Sequence, residues 1–202
     1  GQGDRGRLGN GGTTSSNAAV LGSLPAPIVT LAAGADHTCA ALMSGQYACW
    51  GGNVIGQLGV GLGDAFVPFP TLVVGSSWSG SPRIAAGPQF TCVASDIGNH
   101  CWGLGSSGQF GNGSAGASHS SRVPVPGPSG GGDTFTRLSA GGTTACAVTT
   151  AGELYCFGSN GRGQLGDGTT TERATPTRVG SDADWVSVSR RKSRRWNLPL
   201  PR

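Results

Sequence analysis

The sequence predicts an all-β protein organised as part of a β-propeller, whose blades are small antiparallel sheets. Three observations lead to this fold class. The chain holds 38 Gly and 12 Pro in 202 residues, which disfavours long helices. It also spreads five Trp and six Phe along its length, whereas disordered chains are poor in aromatic residues. Finally, one set of motifs recurs with a period of about 50 residues, as propeller blades do.

Each repeat has the same three parts. It opens with an apolar segment that contains Ala-Gly and leads to a Cys, continues with Cys-aromatic-Gly, and closes with Gly-Gln-Leu-Gly or Gly-Gln-Phe-Gly. Three full repeats are followed by the start of another, and residues 1–30 form a partial copy with the closing motif Gly-Arg-Leu-Gly. The full repeats and the start of the next occupy residues 31–83, 84–137, 138–184 and 185–189. A blade of this size needs neighbours to bury its faces.

The cysteines of each repeat bracket a short turn. In the first and third repeats the turn is centred on Ser44 and Ala151, and a Gly follows each. This spacing predicts odd-length hairpin loops, in which Gly supplies the last position. In the second repeat the cysteines are one residue closer, which predicts an even-length loop at Asp96 and Ile97.

The symmetric cysteine pairs predict disulfides within the hairpins. The two members of a pair lie directly opposite on adjacent strands, at a Cα separation that a disulfide can span. Zinc is disfavoured because structural zinc sites usually take two ligands from a Cys-x(2–4)-Cys segment, which the sequence lacks. Disulfides imply an oxidising compartment, and free buried thiols are the alternative. The expected pairs are Cys39–Cys49, Cys92–Cys101 and Cys146–Cys156.

Large apolar residues recur at two further repeat positions, which predicts that they form the core between blades. One position holds Trp50, Trp102 and Phe157. The other holds Ile28, Phe135 and Trp185.

The charge distribution disfavours nucleic acid as a partner. The formal charge is +4, but six of the 14 basic residues lie in residues 190–202. Residues 1–189 hold eight basic and ten acidic side chains, a net charge of −2. Nucleic acid could therefore be bound only through the basic tail. The longest apolar run is five residues, Cys39–Met43, so we expect no membrane-spanning segment.

The sequence predicts no catalytic, cofactor-binding or metal-binding residues. Gly-x-Gly-x-x-Gly occurs at residues 1–6 and 103–108, but no helix pattern follows, as a dinucleotide site requires. Turns explain both motifs better. His37 shares its repeat position with Phe90 and Thr144, which favours a structural role. The acidic residues are mostly single, so no carboxylate pair suggests acid–base catalysis, and we expect no enzymatic activity.

The joint pattern of Ala-Gly before Cys, a Gly turn, Cys-aromatic-Gly and Gly-Gln-Leu-Gly resembles the repeats of the regulator of chromosome condensation family. The resemblance covers residues 1–189. It implies a seven-bladed propeller of four-stranded antiparallel blades, which at this period takes roughly 360 residues. We therefore expect this chain to be a fragment that holds about half of a ring. Most members of the family recognise other proteins, and one is a guanine-nucleotide exchange factor.

The resemblance implies a non-catalytic scaffold for protein–protein interaction, with another protein of unknown identity as its partner. The alternative is a guanine-nucleotide exchange regulator of a small GTPase. We expect the contact regions to be the longer loops, Gly61–Pro70 and Ser114–Gly132. The paired cysteines favour an extracellular or secreted location, with a cytoplasmic one as the alternative. The repeat pattern stops at Ser189, so residues 190–202 are expected to be an aberrant basic tail, with a natural tail as the alternative.

Overall fold

Three four-stranded antiparallel sheets make up most of the protein, and we call them blades 1, 2 and 3. Each blade uses four consecutive strands in chain order. A 3-10 turn, Asp4–Gly6, precedes blade 1. The computed structural model describes residues 1–20, 22–61, 63–116, 118–128, 134–190 and 196–197.

The strands of the three blades are four to seven residues long. Blade 1 consists of β1 (Ile28–Ala33), β2 (His37–Leu42), β3 (Tyr47–Gly52) and β4 (Phe66–Leu72). Blade 2 consists of β5 (Arg83–Ala86), β6 (Phe90–Ser95), β7 (Gly98–Gly103) and β8 (His119–Val125). Blade 3 consists of β9 (Phe135–Gly141), β10 (Thr144–Thr149), β11 (Leu154–Gly158) and β12 (Arg173–Arg178). The first strand of each blade begins one to three residues before the predicted repeat start.

A short strand pair follows blade 3. It joins β13 (Ser189–Arg190) to β14 (Trp196–Asn197). The remainder of the predicted basic tail, residues 191–195 and 198–202, lies outside the described residues.

The first strands of successive blades pack against one another. β5 contacts both β1 and β9, and β9 contacts β13. In a propeller the innermost strands meet in this way around the central axis. The two middle strands of each blade are almost entirely buried. Blade 2 lies between blades 1 and 3, whereas Leu24 and Ala26 pack on the other face of blade 1 and residues 179–188 contribute to the core of blade 3. The first and last strands remain partly exposed.

The hairpin turns agree with the cysteine spacing. Gly45 and Gly152 follow the loops centred on Ser44 and Ala151, and both adopt positive φ. In blade 2, Ser95 pairs with Gly98 across a two-residue turn.

The expectation that residues 61–70 and 114–132 are loops is wrong for the parts that form β4 and β8. Both strands contain Pro, which has no amide hydrogen to donate and therefore argues against a strand inside a sheet. Proline is tolerated on an edge strand, and β4 and β8 are edge strands. Residues 62, 117 and 129–133 of these segments lie outside the described residues.

Candidate functional site

The predicted cysteine pairs lie directly opposite each other in all three hairpins. Each pair has a Cα–Cα distance of 4.1 Å, with the sulfur atoms at bonding distance. All six cysteines are buried. Each pair joins the two middle strands of one blade.

The closing motifs of the first two repeats, and that of the partial copy before them, each pack against the aromatic residue of the blade that follows. A Cβ on Gly59 would lie 2.8 Å from Trp102 Nε1, and a Cβ on Gly111 would lie 2.9 Å from Phe157. At the N-terminus, a Cβ on Gly9 would lie 2.7 Å from Trp50 Nε1. No side chain larger than hydrogen fits between these backbones and rings, so the second Gly of the motif is fixed by the packing of two blades.

We call the junction between two neighbouring blades a seam. Hydrogen bonds from indole nitrogens complete the seam between blades 1 and 2 and the packing of the N-terminal segment on blade 1. Trp102 Nε1 donates to the Gln57 carbonyl oxygen at 2.9 Å, and Trp50 Nε1 donates to the Arg7 carbonyl oxygen at 3.2 Å. The first Gly of the motif contacts the outer strand of the next blade, with Gly56 against Ser120. The repeat pattern predicts the buried aromatic position. It does not identify the Gly that packs against the ring, which lies more than 40 residues earlier in the chain.

The second predicted core position is only partly buried. Phe135 is buried and Trp185 packs against the blade 3 core, but Ile28 is 38% exposed. The prediction is therefore wrong for Ile28. No blade precedes β1 among the described residues, whereas β5 packs against β1 of the preceding blade and β9 against β5.

Two linked, buried hydrogen bonds cross the seam between blades 1 and 2. Thr91 Oγ1 donates to the Gln57 carbonyl oxygen at 3.0 Å. His37 Nε2 lies 2.9 Å from the same Thr91 oxygen. Because Thr91 uses its one hydrogen for Gln57, its oxygen accepts the His37 Nε2 hydrogen. Burial lowers the pKa of His37 to about 4, against an opposing effect of Asp36, so His37 is neutral near pH 7.

The closing turn of blade 3 is organised by Asn160. Its amide nitrogen donates to the carbonyl oxygens of Thr169 and Thr171 and to Asp167 Oδ1, while its oxygen accepts from the Leu165 amide at 2.9 Å. Burial acts to raise the pKa of Asp167, but hydrogen bonds from Arg173, Thr169 and Asn160 outweigh it and lower the pKa to about 2. Unlike the other closing turns, this one exposes Gly163 and Gly166.

The outer strand of blade 1 carries an exposed apolar surface. Phe69 is 56% exposed and Val74 is 57% exposed. The strand pairings align Phe69 with Ser121 of blade 2 and Thr175 of blade 3. We call these exposed side chains the apolar patch: Phe66, Phe69 and Leu72 on β4, and Val74 just after the strand.

The apolar patch overlaps one of the two predicted contact regions, Gly61–Pro70. Most of the patch lies on strand β4, not in a loop. Phe69 lies at a bulge in the β3–β4 pairing, between the pairs Gly51–Val67 and Cys49–Thr71. The exposed strand could have been found from the sequence only by aligning the proline-containing outer strands of the repeats.

Reactive chemistry is sparse in the described part of the chain. Those residues hold no group of three or more His, Cys, Asp or Glu side chains that could bind a metal ion. The Gly-x-Gly-x-x-Gly segment at residues 1–6 contains only the three-residue 3-10 turn, and that at 103–108 contains no helix. No helix among the described residues has the length and apolar character needed to cross a membrane.

Comparisons with known sequences identify the repeats. Residues 135–164 and 151–189 match two models of the Regulator of chromosome condensation (RCC1) repeat. Ultraviolet-B receptor UVR8 of Arabidopsis thaliana is 30% identical over 189 residues, which cover 89% of this chain and 40% of that protein. X-linked retinitis pigmentosa GTPase regulator of Mus musculus is 29% identical over 164 residues, 78% of this chain and 16% of that protein. The chain thus spans less than half the length of these relatives.

Solved structures share the fold. Human WBSCR16 superposes with a TM-score of 0.80 at 24% identity, over 94% of this chain and 49% of that one. Yeast RCC1 (Prp20), solved with Kap60, is among the matches with a TM-score of 0.70 at 21% identity, over 84% of this chain and 41% of the matched chain. The protein is a partial β-propeller of four-stranded blades, and it belongs to the regulator of chromosome condensation repeat family.

Proposed function

We propose that this protein is a non-catalytic scaffold that binds another protein through the apolar patch on blade 1. The observation that carries the proposal is the exposure of Phe66 and Phe69, at 41% and 56%. Large apolar groups exposed on only one of three similar strands are typical of a binding surface. The equivalent positions in the other blades hold polar residues, which are Ser118 and Ser121 in blade 2 and Glu172 and Thr175 in blade 3.

The chemistry of β4 defines how the partner is held. Pro68 and Pro70 remove two amide donors from this edge strand, so a partner gains little by adding a strand to the sheet. Binding by this surface would come mainly from burial of the exposed side chains. The partner should therefore present apolar side chains of its own.

The test uses a patch variant and a matched control. Phe66→Ser with Phe69→Ser removes the aromatic rings from the patch. Met43→Ser with Ile97→Ser removes two other exposed apolar side chains, 70% and 54% exposed, from hairpin tips of blades 1 and 2. Proteins captured from extracts of the source cells are quantified by mass spectrometry. A partner retained by wild type and control but lost from the patch variant supports the proposal, and equal capture by all three refutes it.

Regulation of a small GTPase is the second candidate function. It is supported by the name of the mouse relative, X-linked retinitis pigmentosa GTPase regulator. This function predicts faster release of labelled GDP from a small GTPase when the chain is added. Unchanged release across a panel of GTPases would exclude exchange activity while leaving the scaffold proposal intact.

We also propose that the chain occupies an oxidising, extracellular or secretory compartment. The three opposed cysteine pairs support this location, because disulfides persist in such compartments and are reduced in the cytosol. Expression with and without a secretory leader, followed by thiol counting, tests it. Stable reduced protein with full binding activity in the cytosol would contradict the proposal.

A further inference from the structure

The seam between blades 1 and 2 differs from the next seam in the polarity of one pair of buried positions. His37 faces Thr91 across the first seam, and both side chains are buried. At the equivalent positions of the second seam, Phe90 and Ala145 belong to one apolar cluster. The first seam therefore contains an ionisable group where the second contains none.

The free nitrogen of His37 is where a proton would be added. Nε2 already carries the hydrogen that Thr91 accepts, so Nδ1 is the unprotonated nitrogen. Nδ1 is buried without a hydrogen-bond partner, and the ring lies against Gly34. A proton on Nδ1 would thus place a positive charge inside the seam with no acceptor for its new N–H group.

The surroundings provide little compensation for that charge. β1, β2, β6 and the closing turn at residues 53–60 contain no Asp, Glu, Lys or Arg. Arg83 lies at the end of β5 away from Ala86, which pairs with Thr91. Its side chain donates to the Thr136 carbonyl oxygen on β9. Asp36 is the charged neighbour whose field favours protonation of His37, but Arg5 and Arg7 already pair with its carboxylate at 2.7 and 3.1 Å.

We propose that His37 makes the seam between blades 1 and 2 labile to mild acid, so that this seam opens while the seam between blades 2 and 3 stays closed. This inference is independent of the proposed function. Opening would separate blade 1, which carries the apolar patch, from the rest of the chain.

The size of the effect follows from linkage between protonation and opening. A histidine whose pKa is about 4 in the closed seam and 6.5 when exposed binds more protons in the open state, so the closed state loses stability as pH falls below 6.5. The loss is complete near pH 4. Between pH 7 and pH 5 the equilibrium constant for opening rises about 20-fold.

Hydrogen exchange in the full chain tests the proposal. The Trp102 indole N–H, bonded to Gln57 across the first seam, reports on that seam. The Gly113 amide, bonded to Ala174 at 2.8 Å, reports on the second. Wild type is compared with His37→Phe/Thr91→Ala, which installs the residue pair of the second seam. Comparison at equal pH cancels the intrinsic pH dependence of exchange.

The ratio of the Trp102 exchange rate in wild type to that in the variant should rise about 20-fold from pH 7 to pH 5. The same ratio for the Gly113 amide should not rise. Equal pH dependence at Trp102 in both proteins would overturn the proposal. Should the variant fail to fold, NMR titration of His37 in the wild type decides instead. A His37 pKa below 5 supports the proposal, and a pKa near 6.5 overturns it.

Discussion

The second Gly of the closing motif offers a sharp test of the seam, because the chain contains its own control. Gly59 and Gly166 hold the same motif position with similar positive φ values, +67° and +74°. A Cβ on Gly59 would lie 2.8 Å from Trp102 Nε1, whereas on Gly166 the nearest atom, Val179 Cγ1, would be 3.5 Å away. Alanine at either position incurs the backbone strain, but only Gly59→Ala incurs a collision.

The two costs can be estimated separately. Placing a Cβ in left-handed backbone costs about 1–2 kcal/mol, and Gly166→Ala should lose that amount. Gly59→Ala must also displace Trp102 or the turn, an overpacking cost of about 1–3 kcal/mol. The Trp102–Gln57 hydrogen bond adds about 1 kcal/mol if it breaks. We expect Gly59→Ala to destabilise the protein by about 2–4 kcal/mol more than Gly166→Ala.

Equilibrium urea unfolding followed by circular dichroism measures both variants. A third protein, Gly59→Ala in a Trp102→Leu background, removes the ring that the new methyl group meets. Relative to Trp102→Leu alone, its alanine should cost no more than Gly166→Ala does. If Gly59→Ala and Gly166→Ala lose the same stability within about 0.5 kcal/mol, Gly59 is not packed against Trp102 across the seam.

Four further predictions concern the cysteines, the blade 3 turn and the second seam. Alkylation of the unfolded chain should modify no cysteine before reduction and all six afterwards, as intact mass shows, and labelling before reduction would contradict the disulfides. Asn160→Ala should lower the free energy of unfolding by about 2–3 kcal/mol, because the fully buried Asn160 side chain holds the turn together through bonds to Leu165, Asp167 and Thr171. The exposed control Asn17→Ala should change it by less than about 0.5 kcal/mol. Asp167→Asn should destabilise the protein at pH 7. The difference in urea midpoint between wild type and this variant should shrink as pH falls from 4 towards 2, because the stabilising carboxylate of Asp167 becomes protonated there. A difference that stays constant would contradict the lowered pKa of Asp167. Phe157→Trp enlarges a fully buried side chain in the second seam and should cost about 1–3 kcal/mol in urea unfolding; an unchanged stability would contradict the close packing of this seam.

Features set by local spacing could be predicted from the sequence. The cysteines fall opposite one another because their distance from the turn is equal on both sides, and strand geometry turns that symmetry into a contact. The buried positions of Trp102 and Phe157 followed from the repeat alone. Each of these conclusions needs only residues within one repeat.

Features that depend on two repeats could not be predicted. The collision partner of Gly59 belongs to the next blade, and the His37–Thr91 pair joins residues 54 positions apart. Ile28 was expected in the core, but the side of β1 that it occupies has no preceding blade among the described residues. The outer strands β4 and β8 were not predicted, because their prolines are typical of loops, although edge strands tolerate them.

Proton–proton contacts across the seams, observed by NMR in the full chain, test directly whether the repeats stack as successive blades. The structure predicts nuclear Overhauser effects from the α-protons of Gly9, Gly59 and Gly111 to the rings of Trp50, Trp102 and Phe157, respectively. Gly166 should show no contact to an aromatic ring from the described residues. Contacts from Gly59 or Gly111 to the aromatic residue of their own blade, or to none, would contradict the stacking of these repeats as successive propeller blades.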